Sequence, residues 1–117
     1  MSAIDDIRAE RQRQIKVEGY TAKHDDGHVT EALMEAAFAY EWHAMGTAVY
    51  NKNGIPQNWP WARHFWKPKD KRRDLIRAGA LCLAEQDRCA RDGMPRQALP
   101  DQTLARIVAE LDAETQS

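Results

Sequence analysis

Cysteine is scarce in this 117-residue chain, with only Cys82 and Cys89 present. Both fall in one strongly helical stretch, where seven residues of helix separate them by roughly 10 Å, too far for a disulfide between them. Neither belongs to a CxxC pair. Two small buried hydrophobes on one helix face, in a reducing compartment, are therefore expected rather than a redox or metal pair. A charge excess is missing too: 17 Lys and Arg face 18 Asp and Glu, whereas a general nucleic-acid coater needs a clear basic surplus. No apolar run approaches the ~18 residues that span a bilayer. The opening stretch MSAIDDIRAER is polar and acidic, without an apolar signal-peptide core, so a cytoplasmic protein is expected. Serine occurs only as Ser2 and Ser117, and neither GxSxG nor GxxxxGK[ST] is present, which argues against the usual nucleophilic enzymes. Strand signals, internal repeats and low-complexity segments are also absent.

What is present is helical. A hydrophobic share of 43% is near the globular average, and the length suits one domain, residues 1–117, since domains usually run to about 100–150 residues. Ser2 with Asp5 resembles a capping box, and Ile4, Ile7, Arg11 and Ile15 follow at helical spacing until Gly19, so residues 3–18 read as the first helix. A second helix covers 29–45, with Val29, Leu33, Ala36, Ala37, Tyr40 and Ala44 in one stripe and Met34, Phe38 and Met45 around the side. Apolar over most of its circumference and rich in alanine, it is expected at the centre of the domain. A third helix runs from 71 to 91, capped by Asp70 and ended by Gly93, with Leu75, Ile76, Gly79, Cys82, Leu83 and Ala90 as its buried stripe. The last helix, 101–114, follows Pro100 and carries Leu104, Ile107, Val108 and Leu111 at i, i+3, i+4 and i+7. The expected architecture is a compact all-α bundle of about four helices, with a long Trp-rich connection, 46–70, between the second and third. Asn53-Gly54 is a turn signal that suits a short hairpin within it.

Two constellations carry chemistry. The first follows helix one: Glu18-Gly19-Tyr20-Thr21-Ala22-Lys23-His24-Asp25-Asp26-Gly27-His28. His24, Asp25 and His28 offer enough ligand chemistry for a divalent metal, although no HExxH pattern is present and a helix-capping role for Asp25 or Asp26 explains the carboxylates equally well. The second is Trp59-Pro60-Trp61-Ala62-Arg63-His64-Phe65-Trp66-Lys67-Pro68-Lys69-Asp70-Lys71-Arg72-Arg73-Asp74. Lys71, Arg72 and Arg73 occupy the first turn of helix three, where cations oppose the helix dipole at a cost of about 0.3–1 kcal/mol each. Something must offset that cost. A bound phosphate at the free N–H groups is one candidate, with the tryptophans stacking a flat ring. Acidic partners from other helices, with the tryptophans as a lid over small residues, are the other.

The segments Glu10-Arg11-Gln12-Arg13-Gln14-Ile15, Glu18-Gly19-Tyr20-Thr21, His24-Asp25-Asp26 and His28, then Trp59-Pro60-Trp61, Trp66-Lys67-Pro68 and Arg72-Arg73-Asp74-Leu75-Ile76-Arg77-Ala78-Gly79-Ala80-Leu81, together resemble a family of small phage and prophage proteins of unassigned function. The resemblance spans most of residues 7–90. It implies a phage or bacterial cytoplasmic setting and brings no activity with it. Gly19-Tyr20-Thr21, Asp25, Asp26 and His28, Trp59-Pro60-Trp61 and Arg73-Asp74 also follow, loosely, the order of ryanodine-receptor-type repeats, a similarity that points toward a nucleotide pocket.

The leading expectation is non-catalytic binding of a small phosphorylated, nucleotide-like ligand, with sequestration of a host messenger as its use. Lys67, Lys71, Arg72 and Arg73 would hold phosphate, and Trp59, Trp61 and Trp66 would wall or stack the ring. His24, Asp26 and Tyr20 complete the contacts. A homo-oligomer is expected, because very small binders often build pockets between subunits. No cofactor is expected. The alternatives are a metal-dependent nucleotide hydrolase using His24, Asp25, Asp26 and His28 with Glu31 or Glu35, and a host-protein interaction module.

Overall fold

A computed structural model of the chain describes residues 2–17 and 32–116. Within them the fold is all-α: α1 (Ala3–Lys16), α2 (Ala32–Met45), α3 (Lys71–Arg91) and α4 (Ala98–Gln116), with one 3₁₀ turn at Arg63–Phe65. No described helix is long and apolar enough to cross a membrane.

Local chemistry sets the helix ends. Ser2 accepts the Asp5 N–H at 3.2 Å and donates to the Asp5 carboxylate at 2.8 Å, the reciprocal capping read from the sequence. Asp70 accepts the Arg73 N–H at 2.8 Å and starts α3. Gly93 ends α3 at φ +69°, a left-handed conformation that a Cβ disfavours. The fourth helix starts three residues earlier than the sequence suggests, and Pro100 sits in its first turn. Proline is tolerated there because a first-turn N–H has no intrahelical acceptor. Asp101, next in that turn, accepts both Arg96 nitrogens at 2.7 Å.

The central helix is α3, not α2. It packs against α1, α2 and α4, and its residues Asp74 to Cys82 are buried without interruption. Small residues on several faces (Ala78, Gly79, Ala80, Ala84) let three helices approach it, while Leu75, Ile76 and Leu81 fill the spaces between. The alanine-rich α2 packs on α3 through Leu33, Ala36, Ala37 and Tyr40 and leaves its opposite side outward. On α1 the buried face holds Ala3, Ile7, Glu10, Arg11 and Gln14, and Ile4 and Ile15 are only half-buried. The polar side chains on that face meet α3 in different ways: Glu10 faces the Arg73 and Arg77 guanidinium groups, Arg11 faces the Asp87 carboxylate at 3.6 Å, and Gln14 donates to the Arg77 carbonyl. On α4, Ile107 and Leu111 are buried with Thr103, while Leu104 and Val108 are half-buried at the edge.

Both cysteines are free and buried. Burial pushes the Cys82 thiol up to about 12, with the nearby Glu41 carboxylate adding to the shift. A thiolate is thus essentially absent at neutral pH. Native protein at pH 8 is expected to leave Cys82 unmodified by Ellman's reagent except at the rate of global unfolding; faster modification of Cys82 would show that α3 opens locally.

Candidate functional site

The connection between α2 and α3 is compact. Residues 49–57 form a one-bridge hairpin in which Tyr50 pairs with Pro56, and Gly54, at φ +77°, completes the turn that Asn53-Gly54 signals. Asn51 holds the turn, its side-chain oxygen accepting the N–H groups of Asn53 and Ile55. The chain then lays its aromatic residues over α2. Trp66 stacks on Tyr40 with centroids 4.6 Å apart, and Trp59 meets Tyr40 edge-on at 5.5 Å. Trp61 and Trp66 lie against Trp59 at 5.4 and 5.1 Å. The Tyr40 hydroxyl accepts the Lys67 N–H at 3.1 Å, and the Trp59 indole N–H donates to the Ala62 carbonyl. All three tryptophans are half-buried against the hydrophobic core. Their faces are spent on one another and on Tyr40.

The basic start of α3 is also committed. Lys71 reaches Glu110 at 3.0 Å and Glu114 at 2.8 Å on α4, and these two bonds raise its pKa. Arg72 pairs with Asp6 on α1. Arg73 bonds the buried Glu10 at 3.1 Å, and Glu10 also accepts two bonds from Arg13 at 2.8 and 2.7 Å. Arg77 donates to the Lys67 carbonyl and lies 4.0 Å from Glu10 and 3.9 Å from Asp74. The dipole cost of three cations in a first turn is therefore offset by carboxylates from α1 and α4. A shallow groove of about 290 Å³ lies between α1 and α3, lined by both signs of charge: Asp6 and Glu10 with Arg13, Arg72 and Arg73.

Tyr20, His24, Asp25, Asp26, His28 and Glu31 lie outside the described residues, and Glu35 is exposed on the first turn of α2. Among the described residues no group of three or more His, Cys, Asp or Glu side chains is placed to hold a metal ion.

The surface that stands out is one the sequence reading passed over. The fourth tryptophan, Trp42, is 40% exposed on the outer side of α2, and Met45, Val49 and Tyr50 beside it are 42, 64 and 41% exposed. Phe38 stacks under the indole at 5.1 Å with the rings 8° from parallel. On one side of Trp42 a groove of about 440 Å³ is lined by Trp42, Thr47, Val49, Gln57 and Asn58. On the other, a smaller one of about 220 Å³ runs between Glu41, Met45, Arg106 and Glu110. No protein-family model, curated protein or solved structure matches the chain. The site therefore rests on geometry. A helical signal for it existed: at 3.6 residues per turn, Trp42 falls about 180° around α2 from Leu33, which puts it opposite the core. Glu41 and Arg106 form a two-bond pair at 2.7 and 2.9 Å that ties α4 to α2 next to this face. Asn58 donates to the Glu35 carbonyl at 3.0 Å, which fixes the loop against α2 and leaves the amide oxygen as an acceptor.

Proposed function

We propose that this protein binds a small phosphorylated, nucleotide-like ligand without catalysing its conversion, and that the ligand's flat ring enters the groove beside Trp42. The observation that carries this reading is an exposed indole bordering a concave space with carboxamides on its far wall. A volume of about 440 Å³ falls in the range of roughly 300–1,000 Å³ typical of small-molecule sites. Stacking on an aromatic side chain contributes about 1–3 kcal/mol per base. The Gln57 carboxamide makes no hydrogen bond to the described residues, so it offers a donor and an acceptor to a base edge, next to the Asn58 oxygen. Lys52, at the tip of the same hairpin and without a carboxylate partner among the described residues, is the cation for the phosphate in this reading. Lys71, Arg72 and Arg73 then serve to join helices, and Trp59, Trp61 and Trp66 to roof α2. The resemblance to phage proteins supports a bacterial cytoplasmic setting, and in that setting sequestration of a host messenger is the use we propose for such a binder.

A second reading, docking of a host protein, is favoured by the apolar side chains outside the groove: Met45 and Tyr50 are too exposed to be explained by a ring in the groove alone. A second copy of the chain on this face would give the expected homo-oligomer. Calorimetric titration with a panel of mono-, di- and cyclic nucleotides separates the readings. Trp42→Ala is expected to weaken ligand binding at least about tenfold, equivalent to ~1.4 kcal/mol, while the fold persists with stability lowered by about 0.5–1.5 kcal/mol through loss of the Phe38 stack. Arg73→Ala is expected to leave affinity unchanged. Wild-type affinity in Trp42→Ala sinks the groove assignment. A panel without any binder, together with a host protein released by the same substitution, selects the docking reading.

A further inference from the structure

Three side chains from three different segments form a line behind the Trp42 face. The Tyr50 hydroxyl, on the hairpin, lies 2.6 Å from His43 Nδ1 near the end of α2. The other ring nitrogen, Nε2, faces Asp74 Oδ2 on α3 at 3.9 Å. Asp74 is buried to 1% exposure. Its Oδ1 accepts the Lys69 N–H at 2.8 Å and has Arg77 Nη1 3.9 Å away, so Oδ2 is the oxygen turned to the imidazole. Burial raises the Asp74 carboxyl above the usual range, and His43 and Arg77 pull the other way. The Trp66 ring meets His43 edge-on at 5.3 Å, and the Tyr50 ring does so at 5.8 Å, which limits the imidazole's rotation.

The order of groups has chemical meaning. An ionised carboxylate can only accept hydrogen bonds, so it favours the tautomer with the proton on Nε2. Nδ1 is then a bare acceptor, and the phenol must be the donor to it. A hydroxyl hydrogen-bonded to a base, with a carboxylate within ion-pair range of that base's other nitrogen though beyond hydrogen-bond distance, has the order of groups that activates oxygen nucleophiles. Tyr50 is exposed, so an electrophile can reach its oxygen. Tyr40 offers no such arrangement: it is buried, and its hydroxyl bonds backbone groups of the connection.

We propose that Tyr50 is a modification site whose phenol accepts a phosphoryl group from an activated phosphoryl donor, with His43 as the base and Asp74 as the positioning residue. In this step the Tyr50 oxygen forms a bond to phosphorus while the bond from phosphorus to the leaving oxygen breaks. The phenol proton moves to His43 Nδ1 and from there to the leaving group. The protein is the acceptor, so the step itself requires no ligand in the Trp42 groove. Among the described residues, the charged or titratable groups that face His43 are Tyr50 from the hairpin and Asp74 from α3, with Arg77 behind the carboxylate; Lys69 contributes its backbone N–H and Trp66 an uncharged ring.

The test uses the full chain and two reagents: benzenesulfonyl fluoride, whose sulfur centre stands in for phosphorus, and acetyl phosphate as a phosphoryl donor. Adducts are located by peptide mass mapping. Tyr50 is expected to react with the sulfonyl fluoride on the order of 10²-fold faster than N-acetyltyrosinamide at pH 7.5, and His43→Gln to remove that advantage, since a positioned base contributes about 10²–10⁴-fold. The wild-type rate is expected to rise less steeply with pH than that of an unassisted phenol, which gains about tenfold per pH unit up to pH ~10. If His43→Gln fails to fold, this pH profile decides alone. A Tyr50 rate that tracks the free amide, or is unchanged in folded His43→Gln, overturns the proposal. Labelling by the sulfonyl fluoride without any phosphoryl adduct from acetyl phosphate overturns the phosphoryl assignment.

Discussion

Glu10→Ala is expected to destabilise the protein by about 3–5 kcal/mol, the range for removing one partner of a buried ion pair and leaving its charge behind. The Glu10 side chain is 1% exposed, and it accepts from Arg13 and Arg73 while Arg77 Nε lies 4.0 Å away. Arg77 is itself only 6% exposed, and its Nε has no hydrogen-bond partner among the described residues. Without Glu10, the buried guanidinium keeps, among the described residues, Asp74, the Lys67 carbonyl and the face of the Tyr40 ring 5.8 Å away. A loss of that size is a large share of the roughly 5–15 kcal/mol that holds a domain together. Urea titration should show a lower midpoint with an unchanged slope, which reports lost stability rather than a changed unfolded state. Arg73→Ala removes a pair whose cation is 38% exposed, so its expected cost is about 1 kcal/mol or less. Equal losses in the two variants would show that Glu10 is not the hub of the network.

That network explains why the fold was more legible than the site. Spacing and caps placed α3 at residues 71–91, because Asp70 and Gly93 are local signals and α3 needs nothing distant to start or stop. The same spacing misassigned the centre. An apolar circumference on α2 suggested a helix packed all round, but burial on α3 depends on which charges find partners, and for Arg73 and Arg77 a shared partner, Glu10, lies on α1. Nothing in Lys71-Arg72-Arg73 says whether phosphate or carboxylate will neutralise it. Pairing across about 60 residues of chain, as between Glu10 and Arg73, is tertiary information. The tryptophans repeat the lesson. Three in one irregular segment drew the eye, yet clustered indoles satisfy each other, and Trp59, Trp61 and Trp66 close over Tyr40. A single Trp42 on the wrong side of a helix has, among the described residues, no such neighbour beyond Phe38, and it stays partly at the surface. Helical phase, which the sequence does contain, was the better guide than local abundance.

Gly79→Val is expected to cost about 3 kcal/mol, the upper end of the usual penalty for overfilling a packed core. A Cβ at position 79 would lie 2.8, 3.0 and 3.2 Å from Ile7 Cδ1, Cγ1 and Cγ2. Ile7 is fully buried, and it is the apolar anchor of α1 on α3. Its δ-methyl can swing away from an alanine methyl, and alanine also gains up to about 1 kcal/mol of helix propensity over glycine. Gly79→Ala should therefore lose only about 1 kcal/mol net, balancing that gain against a modest overpacking cost. Valine adds two branches that reach the stem carbons of Ile7, which cannot move without shifting the helix. The interaction is tested by a double-mutant cycle. Ile7→Ala alone should cost about 2–5 kcal/mol through the cavity it leaves. Combined with Gly79→Val, the new side chain enters that cavity, and the double variant should be less destabilised than the sum by about 1–3 kcal/mol. Strict additivity would falsify the contact as the reason for glycine here. Coupling would identify a point of close helix approach, where α1 carries its two kinds of grip on α3: Ile7 against Gly79, and one turn on, Glu10 among the arginines.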